Sequence, residues 1–253
     1  MTFKDHFSGH AGDYTRYRPS YPHALFAWLA AQVPQHERAW DCATGNGQAA
    51  VGLAEFFADV VATDASDSQI AAAKPHARVR YAVAPAECSG LAAHSLDLIT
   101  VGQALHWFDF TAFYAEAARV LKPGGVLAAW SYGLMQITPA VDAAVWRLYE
   151  PIAGSYWPPE RRYVEEQYRT LPFPFPEIAA PKFAMEAQWT LEQLTGYLAT
   201  WSAVQRYRKE QGGDPLELIV GELGAAWGDA ETARKVVWPM FMRVGRMDGL
   251  GHN

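Results

Sequence analysis

The chain has 253 residues, half of them apolar and 13% aromatic, so one large domain, or a domain with a cap, can build a full core. Its formal charge of −6 argues against a nucleic-acid backbone as the main partner, because such binding relies on clustered Lys and Arg. No apolar run is long enough for a membrane span, Met1 to Gly12 lacks the apolar stretch of a secretory leader, and two cysteines make no disulfide framework, so the cytoplasm is the expected compartment. Residues 1–37 read as a helical preface, with Tyr14, Tyr17, Arg18, Pro19 and Tyr21 ahead of a helix predicted over His23 to Gln32. From 38 to 133 short apolar runs alternate with helical patterns. Strands are predicted over Arg38 to Cys42, Val60 to Thr63 (ending at Asp64), Val79 to Val83, Leu96 to Val101 and Val126 to Trp130. Helices are predicted over Gln48 to Phe57, with Val51, Leu53 and Phe56 inward, and from Ser68 to Lys74. Another covers Phe110 to Leu121, with Asp109 as N-cap and Phe113, Ala117, Val120 and Leu121 on one face. Lys122-Pro123-Gly124-Gly125 breaks that last helix. The alternation implies a parallel, doubly wound sheet.

Residues 134–233 are mostly helical in pattern and rich in Trp, Tyr and Pro, with a loop over Pro172 to Pro176. Phe183 to Trp189 and Val236 to Val244 alternate like strands. They are expected to form a terminal antiparallel pair, with the helices between 190 and 229 inserted between them. The predicted architecture is therefore an α/β fold with a mostly parallel seven-stranded sheet. Its parts are an N-terminal helical lid (1–37), a core (38–133) and a helical cap that carries the terminal strand pair (134–253). The basic clusters Arg161-Arg162 and Arg206/Arg208/Lys209 are short and flanked by Glu, and read as solvated helix faces.

The chemistry is expected around Asp41-Cys42-Ala43-Thr44-Gly45-Asn46-Gly47-Gln48, where an acid ends an apolar strand and a glycine turn follows. A glycine turn opening a helix lets backbone N–H groups approach a ligand. Gly45-x-Gly47-x-x-Ala50 has the spacing of a nucleotide loop, and Asp64, which ends the next strand, follows Gly45 by 19 residues. The acid that holds ribose hydroxyls in such folds lies roughly 20 residues on. Asp41 separates two ligands. A dinucleotide would set a pyrophosphate against that carboxylate, whereas S-adenosylmethionine would set an ammonium and a sulfonium there, with Thr44 adding a hydroxyl.

Here the sequence resembles the class I S-adenosylmethionine-dependent methyltransferases, in the broad type 11 group, and more closely the trans-aconitate methyltransferase-like proteins. The resemblance covers residues 3 to about 132 most closely. Asp41 to Gly47 resembles the family's first motif and Asp64 its ribose-binding acid. Ala86-Glu87 resembles the short motif flanking the adenine. Ser95 to Thr100 followed by Gln103-Ala104-Leu105-His106-Trp107-Phe108 resembles the fourth-strand motif, and Leu121 to Gly125 the turn before the fifth strand. Tyr14-x-x-Tyr17-Arg18-Pro19-x-Tyr21-Pro22 matches the segment that family members close over the cofactor. Gln48 departs from the pattern, standing where many members carry a third glycine; a side chain there must point away from the cofactor.

The resemblance implies a Rossmann-like methyltransferase fold and S-adenosylmethionine as cofactor. It implies a cofactor site of Tyr14, Arg18, Asp41, Ala43, Thr44, Gly45, Gly47, Asp64, Ala65, Ala86, Glu87 and Gln103. Arg18 would meet the methionine carboxylate, Ala65 would lie against the adenine, and Gln103 would lie near the methionine end. Methyl transfer from a sulfonium needs alignment first, and a base only where the acceptor must lose a proton. His106 has two readings, a base near the emerging methyl or a ring packed beside Trp107. Trp107, Trp130 and Tyr132 read as an apolar wall for the sulfonium and substrate or as core. Trp157, Tyr163, Trp201, Tyr207 and Trp238 have the same two readings in the cap. No metal-ligand spacing is present, and no metal is expected. The expected activity is methylation of a small molecule, with a carboxylate suggested by the resemblance. A nucleotide-dependent oxidoreductase and a non-catalytic S-adenosylmethionine-binding protein stay open as alternatives.

Overall fold

The expected parallel strands are present in the computed structural model, which describes residues 19–247. They are β1 (Arg38–Cys42), β2 (Asp59–Asp64), β3 (Val79–Val83), β4 (Leu96–Gly102) and β5 (Leu121–Tyr132). With β6 (Ala184–Trp189) and β7 (Arg234–Arg246) they form one seven-stranded sheet in the order β3-β2-β1-β4-β5-β7-β6. β7 runs antiparallel to β5 and to β6, as the terminal pair required. Tyr14, Tyr17 and Arg18 lie outside the described residues.

The central strands are covered on both faces, which is why β4 reads as a nearly unbroken apolar run. One face carries Ala39, Ala62, Leu98, Val126 and Ala128. It packs on α1 (His23–Ala30) through Leu25 and Leu29 and on α2 (Gln48–Leu53) through Ala50 and Leu53. The opposite face carries Trp40, Val61, Ile99, Val101 and Leu127 against Phe113, Ala117 and Val120 of α4 (Phe110–Val120). The short α3 (Asp67–Ala71) follows β2, its first turn capped by Ser66 Oγ. Asp109 caps α4 as expected, accepting the Ala112 N–H at 3.1 Å. The charge inside β4 is paired: Asp97 accepts the N–H groups of Glu37 and Arg38 at 2.9 Å each and the Lys122 ammonium at 2.8 Å. It ties the start of β1 to β4 and β5.

Beyond β5 come α5 (Pro139–Arg147), α6 (Arg161–Glu165), α7 (Leu191–Ala199), α8 (Ser202–Gln211) and α9 (Val220–Trp227). The last three lie between β6 and β7 in sequence. Leu148, Leu198, Trp201, Trp227 and Trp238 extend the first core, whereas Val164, Tyr168, Leu171 and Phe175 extend the second.

Two boundaries differ most from expectation. α2 stops at Leu53, and its buried residues are Ala49, Ala50 and Leu53, while Val51 and Phe56 are only half-buried. Small side chains face the sheet there, so the helix backbone lies close to it and the chain turns early. β5 begins at Leu121 rather than Val126. Leu96 pairs with Leu121 and Leu98 with Val126, so Lys122-Pro123-Gly124-Gly125 forms a bulge inside the strand instead of preceding it.

Candidate active site

β1 and β4 are neighbours, and the chain leaves them toward opposite edges of the sheet, β2 on one side and β5 on the other. Such a switch point opens a crevice at the carboxyl ends of the strands. Two residues with positive φ flank it, Ala43 after β1 (φ 55°) and Gln103 after β4 (φ 56°). Non-glycine residues in this conformation concentrate where function holds them. Gly45 (φ 55°) and Gly47 (φ 84°) continue the left-handed path, so the loop after β1 curls tightly before α2. A Cβ on Gly47 would strike the Tyr81 ring and hydroxyl.

Asp41 lies at the floor of this loop, fully buried. Its Oδ2 accepts the Thr44 hydroxyl at 2.5 Å and its Oδ1 the Thr100 hydroxyl at 2.8 Å. Burial raises its pKa to about 6, against the lowering effect of those two hydroxyls, and the Asp64 charge adds to the rise. It makes no ion pair among the described residues. Asp64 ends β2, and its two oxygens accept the N–H groups of Gly45 and Ser66, each at 2.9 Å. The carboxylate is thereby locked beside the glycine turn. Ala65 is half-buried next to it. Ala86 is buried, and Glu87 accepts the Asp109 N–H at 3.0 Å, so it braces the start of α4. Gln48 turns away from the crevice and donates to the Pro19 carbonyl at 2.9 Å, which ties the loop to the segment before α1.

Across the crevice, Gln103 Oε1 accepts the Tyr132 N–H at 2.9 Å. Beyond it is a pocket lined by Gln103, His106, Trp107, Tyr132, Trp157, Arg161, Tyr197 and Trp201, among others. The short turn Leu105–Trp107 sets His106 in its wall. His106 is buried, with Nδ1 2.8 Å from the Tyr168 hydroxyl. Burial and the nearby Arg161 charge push its pKa down to about 3, so the ring is neutral at ordinary pH. Arg161 stacks over the Trp157 ring at 4.7 Å, and its Nε donates to the Tyr149 hydroxyl at 2.9 Å. That hydroxyl in turn donates to Glu165 at 2.6 Å.

Among proteins of known sequence and structure, the methyltransferase domain family matches residues 40–129. A protein of Dictyostelium discoideum assigned as a methyltransferase is 32% identical over 253 residues, 97% of this chain and 96% of its own length. The chain belongs to the class I S-adenosylmethionine-dependent methyltransferases. A solved structure from Anaeromyxobacter dehalogenans, assigned as a type II methyltransferase, is 50% identical over 92% of this chain and 99% of its own, with a TM-score of 0.87. A Bacillus halodurans methyltransferase structure shares the fold at 19% identity and a TM-score of 0.52, covering 90% of this chain and 99% of its own. The oxidoreductase and non-catalytic alternatives are set aside by these matches, and S-adenosylmethionine is the methyl donor.

The residues of this methyltransferase fit that donor. A buried carboxylate without a cationic partner is costly, and a ligand cation relieves the cost. Two acids beside one glycine turn would repel a pyrophosphate. Asp64 would hold the ribose hydroxyls, with Ala65 and Ala86 near the adenine, and Asp41 would act on the cationic end through Thr44 and its own charge.

Of the aromatic candidates, Trp107, Tyr132, Trp157 and Trp201 line the pocket. Trp130 does not: its ring is sealed in the core, edge-on to Tyr21 at 5.3 Å. Trp238 is likewise fully buried. Tyr163 packs on Phe110, and Tyr207 on Tyr156. Sequence reasoning placed Arg161 on a solvated helix face and passed over Thr100 and Tyr168. Only Arg161 left a trace, following the aromatic Trp157 by four residues.

Proposed function

We propose that the protein methylates an oxygen of a small carboxylate held in the aromatic pocket, with Arg161 as the anchor for the acceptor's negative charge. The observation that carries this reading is the Arg161 guanidinium itself. It lines the pocket, is held by Tyr149 and Trp157, and has no carboxylate within ion-pair distance among the described residues. Among the described residues no Asp or Glu lines the pocket. A guanidinium in such a setting matches a carboxylate in geometry and charge. The resemblance to the trans-aconitate methyltransferase-like proteins points the same way.

S-adenosylmethionine supplies a methyl group already activated on a sulfonium, which the acceptor oxygen displaces directly. The protein's work is then alignment and exclusion of water. Trp107, Tyr132, Trp157 and Trp201 form dry walls. Gln103 is fixed by its bond to the Tyr132 N–H at the rim between the cofactor crevice and the pocket. A carboxylate carries no proton to lose, which suits a neutral, deeply buried His106. Residues 134–253 supply most of the acceptor side in this reading, and a reducing cytoplasm suits the exposed thiol of Cys88.

A screen of S-adenosylhomocysteine release over carboxylic acids, phenols and amines tests the proposal, with the methyl ester identified by mass spectrometry. Carboxylates are expected to turn over. Arg161→Gln should raise their KM roughly ten- to a hundredfold, the worth of a hydrogen bond to a charged group. Turnover confined to amines or phenols would overturn the reading.

A further inference from the structure

We propose that Tyr168 is a positioning residue that fixes His106 in one tautomer, with its Nε2–H pointed into the pocket as a hydrogen-bond donor to the acceptor. The donor role rests on the reading of the pocket as the acceptor site; the tautomer does not.

The Tyr168 side chain is fully buried; its hydroxyl lies 2.8 Å from His106 Nδ1, and the His106 backbone N–H also acts on its oxygen. A buried hydroxyl that donates to nothing carries the full desolvation cost of its proton. Among the described residues the acceptor in reach is the imidazole nitrogen, the backbone N–H being a donor, so the phenol donates and Nδ1 carries no proton. Because the ring is neutral, its single proton lies on Nε2. The polar side-chain atoms sealed without a partner among the described residues are Trp130 Nε1, Ser131 Oγ and Trp238 Nε1. His106 Nε2 is not one of them. It has no protein partner among the described residues, and the ring lines the pocket.

The chain spends backbone strain to keep Tyr168 there. Gln167 (φ 58°) and Tyr168 (φ 60°) are consecutive left-handed residues, and neither is glycine. The turn is clamped from β7. Arg243 Nη1 donates to the carbonyls of Tyr168 at 2.9 Å and Leu171 at 3.1 Å, while its Nη2 pairs with Glu177 at 2.7 Å. A merely packed histidine would need none of this.

An Nε2–H cannot take a proton. It can hold an acceptor oxygen on the side opposite the one that is methylated, alongside Arg161. The histidine therefore orients a carboxylate instead of activating a hydroxyl.

The test is a long-range proton–nitrogen correlation spectrum of the full-length, ¹⁵N-labelled protein saturated with S-adenosylhomocysteine, with His106→Gln used to assign the signals. Nδ1 is expected at a pyridine-like position and Nε2 at a pyrrole-like one, unchanged between about pH 5 and about pH 8. Tyr168→Phe should release the ring into a mixture of tautomers. It should raise KM for the carboxylate about tenfold with kcat little changed, the loss of one neutral hydrogen bond's worth of orientation. His106→Gln, which keeps a donor but no base, should retain far more activity than His106→Ala. A protonated Nδ1 in the wild-type spectrum overturns the proposal, and so does an unaltered tautomer in Tyr168→Phe. The wild-type spectrum decides the tautomer without any variant or acceptor. A failed carboxylate screen beside the expected spectrum would overturn the acceptor class and leave the Tyr168 assignment standing.

Discussion

In the proposed donor site the decisive residue is Asp41, and its chemistry gives a pH dependence. In the folded protein burial holds its pKa near 6, above the ordinary value of 3.8. The folded state thus binds the extra proton between these two values, and the apo-protein loses stability as pH rises through that window. The cationic cofactor needs the ionised form, so its affinity should rise over the same direction. At pH 5 roughly one molecule in eleven carries the charge, and calorimetry should show S-adenosylmethionine binding about tenfold weaker there than near pH 7.5. A flat profile would remove the Asp41 charge from cofactor binding. Asp64→Ala should weaken the same binding by about 1–3 kcal/mol, the cost of leaving hydroxyls unpaired, with a further effect on the Gly45 turn that the carboxylate locks. Unchanged affinity in a folded variant would take Asp64 out of the site. Both acids were legible in the sequence because each ends an apolar strand at a set distance from the glycines. Thr100, Arg161 and Tyr168 were not. Their hydrogen-bond partners lie 59, 12 and 62 residues away, and a local pattern does not report such contacts; only the Trp157 spacing hinted at Arg161.

The loop between β1 and α2 shows how one element constrains another. Gly47 is required twice, once by its φ of 84° and once by Tyr81, which reaches across from β3 and anchors its hydroxyl on the Lys74 carbonyl at 2.8 Å. Gly124 in the β5 bulge has a similar φ of 80° but open space around it. Gly47→Ala should therefore cost roughly 2–5 kcal/mol, left-handed strain plus overpacking, and Gly124→Ala only about 1–2 kcal/mol. Urea midpoints of the two variants check this, and equal costs would show that Tyr81 is not what demands the glycine. The pattern of strands and helices was legible for the same reason that the sheet is stable: each central strand is apolar on both faces, and α4 presents Phe113, Ala117 and Val120 to one of them. The ends were less so. Lys122-Pro123-Gly124-Gly125 carries every mark of a turn, and only its pairing partner Leu96 shows that the strand runs through it as a bulge.

The C-terminal half is not a separable lid on a finished core. One continuous cluster runs from Leu25 and Leu53 through Ala62, Leu98 and Ala128 to Tyr197, Trp227 and Trp238, so the inserted helices and the parallel strands bury the same surface. β7 seals this arrangement by pairing with β5 from Val126 to Tyr132. Separating the two parts would divide this cluster, and the molecule should therefore unfold as one unit despite its length. The proposed cofactor crevice lies in the strand half, and the pocket proposed for the acceptor is lined from both. A ligand that binds only the folded state should thus stabilise the whole chain. S-adenosylhomocysteine at a hundred times its Kd adds about 2.7 kcal/mol, which for a chain of this size is a rise in Tm of roughly 5–10 °C. Far-UV circular dichroism follows the backbone throughout. Tryptophan fluorescence is weighted toward the C-terminal half (134–253), which holds six of the ten tryptophans. The two melting curves should coincide without ligand and shift together with it. Two transitions, of which the ligand moves only one, would mean that the strand half and the helical half are independent folding units joined by a contact weaker than their shared core implies.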